Sequence, residues 1–77
     1  MIELTPVENS SAIMAQGYDK AQGVLRIQYK SGAVHDFQGV SAEDAAGLVS
    51  AESAGRYLNS VIKATYQSEL VVQSEEG

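Results

Sequence analysis

The sequence has no cysteine, and that absence removes disulfide frameworks, thiolate nucleophiles and thiolate metal sites together. It has no tryptophan, one proline, one phenylalanine and one histidine. With a single imidazole, a histidine-based metal site would need carboxylates for its remaining ligands. Only His35 offers a base to a serine nucleophile, and no spacing places it near Ser41, Ser50, Ser53 or Ser60. The glycines at 17, 23, 32, 39, 47 and 55 lack the spacing of a phosphate-cradling loop and read as turns and close contacts. The expectation is therefore a non-enzymatic chain with no cofactor and no metal. Long apolar runs are also missing, and MIELTPVENS does not join a basic start to an apolar stretch. That favours a cytoplasmic protein without membrane contact.

What is present is the balance of a folded domain: 44% hydrophobic and 19% charged residues in a chain of 77. One small domain is expected, and at this size folding hides only about 60% of the unfolded surface, so the core is thin. Ten acidic residues against five basic ones leave a net charge of −5, which repels phosphate backbones unless the cations gather in one patch.

Along the chain, residues 1–6 read as an extended lead-in containing Pro6, with a short edge segment and the polar run Glu8, Asn9, Ser10 near it. SAIMAQGY, residues 11–18, predicts a first strand, and residues 19–23 a hairpin-length loop. VLRIQYK, residues 24–30, is the clearest strand: Leu25, Ile27 and Tyr29 alternate with Arg26, Gln28 and Lys30. Ser31 and Gly32 turn the chain into a third strand over residues 33–38. The period then changes. Ser41 and Ser53 are candidate N-caps, and Glu43 and Asp44 complement the first helix's dipole. In the second helix Ala54, Leu58, Val61, Ile62 and Thr65 form an apolar stripe. Arg56, Asn59, Ser60 and Lys63 lie on its polar flank. The expected class is α+β: a three-stranded antiparallel meander packed against two C-terminal helices (β-β-β-α-α). Leu70, Val71 and Val72 supply a short extra C-terminal strand or a frayed end.

The register of the second and third strands decides where the middle of GAVHDFQGV points, because a one-residue slip exchanges the two faces of a sheet. A two-residue Ser31-Gly32 loop would set Ile27 against Asp36 and press a carboxylate toward the helices, which is expensive. A type I turn at Lys30 and Ser31 with Gly32 left-handed instead sets Ile27 against His35 and Leu25 against Phe37. That second register is preferred; it puts His35 and Phe37 on the core face or its rim and Asp36 in water.

The string from Val7 to Tyr66 resembles the KTSC domain, named for its occurrence at the C-terminus of some lysyl-tRNA synthetases and found also as small single-domain proteins. The resemblance is carried by Val7, Ser10, Tyr18-Asp19, Leu25, Gly32 and Val40. It continues through Ala51, Ser53, Gly55, Tyr57, Leu58, Asn59, Ile62 and Tyr66. It implies a domain over residues 7–66, between the lead-in and an acidic tail over 67–77. The family's central Tyr-x-Tyr falls on His35 and Phe37, so this chain keeps the rings and loses both hydroxyls. RNA binding is the role the synthetase connection implies.

Two functional expectations follow. The first is a protein-interaction module whose acidic surface, with Glu43, Asp44 and Glu52, engages a basic partner. Charge and size also fit a phage- or mobile-element-encoded chain that occupies a nucleic-acid-binding surface. The alternative is weak RNA binding through Arg56, Asn59 and Lys63, joined by Arg26 and Lys30, with Tyr57 or Tyr66 stacking a base. Under either, a homodimer through a sheet edge is open to the chain.

Overall fold

The computed structural model describes residues 2–8 and 10–72. Asn9 and the acidic end Glu75-Glu76-Gly77 of the expected tail lie outside the described residues. The elements are β1 (Thr5–Pro6), β2 (Ile13–Asp19), β3 (Val24–Tyr29), β4 (Val34–Phe37), α1 (Ala42–Ser50), α2 (Ala54–Tyr57), a π-helical segment Leu58–Ile62, α3 (Lys63–Thr65) and β5 (Ser68–Val72). The strands form a single antiparallel sheet in the order β1-β2-β3-β4-β5.

The α+β class stands, and the three-stranded meander is corrected to five strands. The meander β2-β3-β4 is the centre of the sheet. Two edge strands that carry weak local signals are added by pairing: β1 against β2, and β5 against β4. Residues 68–72 are thus an edge strand of the sheet and not part of a tail. Leu70, Val71 and Val72 are exposed on this edge strand.

The hairpin between β3 and β4 adopts the bulged-turn register. Leu25 faces Phe37, Ile27 faces His35, and Gln28 faces Val34. The Tyr29 N–H donates to the Ala33 carbonyl, and the Gly32 N–H to the Tyr29 carbonyl. Gly32 takes φ 100°, a conformation an L side chain rarely adopts. Phe37 is consequently buried and His35 half-buried, both on the helix-facing side, where the His35 ring meets Tyr29 edge-on at 5.5 Å between centroids.

Asp36 lies on the opposite face, yet it does not stand in water. It is only 9% exposed, because Arg26 sits directly across the strand pair and binds it through two nitrogens, Nε to Oδ1 at 2.8 Å and Nη2 to Oδ2 at 2.9 Å. Such a bidentate cross-strand pair is worth more than a flexible surface ion pair, because each partner's geometry is set by the sheet.

The core lies between the sheet and the helices: Ile13, Leu25, Ile27 and Phe37 meet Val40, Ala45, Leu48, Ala54, Leu58 and Ile62. Both expected caps form, with Ser41 Oγ accepting from the Asp44 N–H and Ser53 Oγ from the Arg56 N–H. Residues 54–65 run on without a break. Within them the Lys63 N–H donates to the Leu58 carbonyl, five residues back, and this wider turn keeps Ala54, Leu58 and Ile62 in line on the core side. Thr65, expected in the apolar stripe, is turned out to solvent, and Tyr66 takes the inward place instead.

Gly32→Ala should lower stability by about 1–2 kcal/mol in urea unfolding, because alanine must be held at positive φ. An unchanged midpoint would show that the hairpin does not use this turn.

Candidate functional site

β2 changes face by a bulge. Ile13 pairs with Tyr29 and Ala15 with Gln28, so Met14 is the extra residue, and beyond it Gln16 and Tyr18 join Ile13 on the helix side. α1 is brought over this part of the sheet by its preceding loop. The Val40 N–H donates to the Gly23 carbonyl at 2.8 Å, and Tyr18 Oη donates to the Val40 carbonyl at 2.6 Å. The side chains α1 turns toward β2 are small, among them Ala42, Ala45 and Ala46, and they do not fill the space between them. A groove of about 770 Å³ results, lined by these alanines, Val49, Gln16 and Tyr18, with Glu3, Asp19 and Lys20 at its mouth. A second hollow of about 240 Å³ shares Thr5, Gln16 and Val49 with it and adds Glu8 and Leu48.

A second cluster locks α1 to the other helical segments. Asp44 accepts from Tyr66 Oη at 2.5 Å and from Tyr57 Oη at 3.5 Å, and the Ser41 N–H reaches Tyr66 Oη at 3.4 Å. Gly47 leaves the space that Tyr57 occupies, since a Cβ there would collide with the phenol oxygen. Desolvation, and then the Asp44 carboxylate, hold the Tyr57 phenol above its usual range, while burial alone raises Tyr29.

The expected site residues divide accordingly. Glu43 and Glu52 are exposed near the two ends of α1. Asp44, expected beside them as a surface acid, is half-buried and accepts from two tyrosines, because helix packing brings both phenols to it. Arg56, Asn59 and Lys63 are exposed on one flank as expected. Arg56 and Asn59 line a hollow of about 530 Å³ with Ser10, Ser53 and Gly55, residues that also carry the family resemblance. Lys63 Nζ stands 5.7 Å from the centroid of the Tyr29 ring. Lys30 is exposed in the β3-β4 turn, and Arg26 is held by Asp36 on the sheet face away from the helices. Tyr57 directs its hydroxyl to Asp44. Among the described residues no group of three or more His, Asp and Glu is placed to hold a metal ion, and no helix is long and apolar enough to cross a membrane.

Gln16 was not among the expected site residues. Its signal in the sequence is a polar residue in an apolar strand, which the bulge at Met14 disguises: simple alternation from Ile13 would send Gln16 outward.

A five-stranded antiparallel sheet covered on one face by a short helical layer defines a small α+β domain. The KTSC domain family model matches residues 9–66, and the chain belongs to that family. A protein of Tsukamurella paurometabola is 38% identical over 65 residues, 84% of this chain and 96% of the relative. An uncharacterised protein of Stutzerimonas stutzeri is 37% identical over 54 residues, 70% of this chain and 76% of the relative. The crystal structure of a KTSC domain protein from Yersinia pestis superposes with a TM-score of 0.87 at 29% identity, covering 94% of this chain and 100% of that one.

The raised phenols set an alkaline limit. A folded-state value above the unfolded value of about 10 means the neutral form is favoured by the fold. The associated stability is fully present below pH ~10 and is lost as pH rises through the raised values. Thermal melts between pH 8 and 11 should show this fall, and Tyr57→Phe should remove part of its slope.

Proposed function

We propose that this KTSC domain is a non-enzymatic, cytoplasmic binding module that engages a basic protein partner through its acidic surface. The observation that carries this reading is the distribution of charge. Arg26 is tied to Asp36, and Glu3, Glu8, Glu43 and Glu52 stand exposed on a chain of net charge −5. Such a surface attracts a cationic partner over roughly a Debye length and repels polyanions. A phage- or mobile-element-encoded chain that competes for a nucleic-acid-binding surface would use the same field.

Weak RNA binding is the second reading, favoured by the hollow that Arg56 and Asn59 line together with Ser10, Ser53 and Gly55. Three to five phosphate contacts would confine it to micromolar affinity or weaker.

Titration against a lysine-rich peptide and against tRNA at roughly 50 and 200 mM salt separates the two. The expected result is saturable peptide binding that fades with salt and falls several-fold in Glu43→Lys plus Glu52→Lys, with no tRNA binding. Saturable tRNA binding that Arg56→Glu plus Lys63→Glu abolishes would put the RNA reading in its place.

Self-association belongs to the same proposal. β1 is a two-residue edge that carries Pro6, whereas β5 offers five exposed residues with three consecutive apolar side chains. Sedimentation equilibrium should show a concentration-dependent dimer that Val71→Lys converts to monomer; a wild-type monomer throughout would exclude pairing through β5.

A further inference from the structure

We propose that the groove between β2 and α1 is the docking site for an extended segment of the partner protein, one that carries lysine or arginine beside small apolar side chains. This rests on the reading of the chain as a binder of basic proteins, and it names the surface that does the binding.

Gln16 carries the inference. The residue is only 9% exposed and lines both hollows. No hydrogen bond to its amide is found within the described residues. No fully buried side-chain nitrogen or oxygen among those residues lacks a partner, so the amide of this lining residue is not sealed in the core. A primary amide facing an open groove without a protein partner keeps two donors and two acceptor sites hydrated and free for a ligand. A peptide group satisfies both kinds at once, donating its N–H to the amide oxygen and accepting from the amide NH₂.

The surroundings select the class of peptide. The wall from α1 is Ala42, Ala45, Ala46 and Val49, and Val49 is 59% exposed, so small apolar side chains gain contact there. The mouth carries the carboxylates of Glu3, Asp19 and Glu8 against the single cation of Lys20. Asp19 Oδ1 is occupied in its own turn, accepting from the Ala21 and Gln22 N–H groups, and the residual charge still points the field toward a cation. An RNA phosphate would meet three carboxylates at this entrance. None of the residues lining the hollow at Arg56 is buried as Gln16 is, and that hollow is the weaker docking site.

The experiment is fluorescence anisotropy with a labelled, blocked peptide in which lysine alternates with alanine and valine. It is titrated with wild type, Gln16→Leu, Ala46→Arg and Thr65→Arg. Ala46 is an exposed residue on the groove wall, and Thr65 is an exposed residue outside the groove, so the two arginine variants carry the same charge change. Circular dichroism confirms that each variant is folded. The expected result is at least a tenfold loss of affinity in Ala46→Arg and in Gln16→Leu, with Thr65→Arg within about threefold of wild type. Equal losses in Ala46→Arg and Thr65→Arg, with Gln16→Leu unchanged, would overturn the groove and leave the acidic-surface reading standing. Absence of binding by wild type to this peptide and to polylysine would overturn that reading, and the groove with it.

Discussion

The left-handed turn at Gly32 sets the phase of the central sheet, and the rest of the molecule is arranged around that phase. With Leu25 opposite Phe37 and Ile27 opposite His35, the apolar side chains of two strands reach one face together. Arg26 and Asp36 then reach the other face as neighbours and neutralise each other. Displacing the register by one residue would separate that ion pair and press Asp36 into the helical layer, and both changes are costly. A single backbone conformation therefore ties the composition of the core to the electrostatics of the open face.

The helical layer is held by a different logic. Ser41 and Ser53 begin its helices by satisfying backbone donors nearby, but neither cap says how the helices lie on the sheet. Tyr18 reaching the Val40 carbonyl, and Tyr57 and Tyr66 reaching Asp44, provide the long-range ties. Small residues make those ties possible. Gly47 costs about 1 kcal/mol in a helix relative to alanine, and its missing Cβ is the room that Tyr57 fills. The alanines that let α1 approach β2 are too small to close the space beyond it, so the packing that steadies the helix also leaves the groove open.

Legibility in the sequence followed the range of the interactions. Strict alternation from Leu25 to Lys30, the turn at Gly32 and the two serine caps are local, and each is found where it was expected. The family resemblance along Val7 to Tyr66 is matched by the KTSC domain assignment over residues 9–66. The edge strands were weaker, since Thr5–Pro6 is too short to have a period and Leu70-Val71-Val72 has no alternation. Thr65 was misplaced because the π turn at Leu58–Ile62 changes the angular step on which the stripe was read. Gln16 was hidden by the bulge at Met14, which reverses the alternation within its own strand.

The strand periods, the turn that needs glycine, the helix starts and the acidic balance are written in the chain, because each depends on residues within a few positions of one another or on composition alone. The pairing of Asp36, the two tyrosine hydroxyls on Asp44 and the place of Gln16 in the lining of a groove arise from folding. Those outcomes depend on side chains from separate elements meeting at one point. Two structural irregularities, a bulge in β2 and a π turn after α2, set which residues meet, and neither leaves a mark in the hydrophobic pattern.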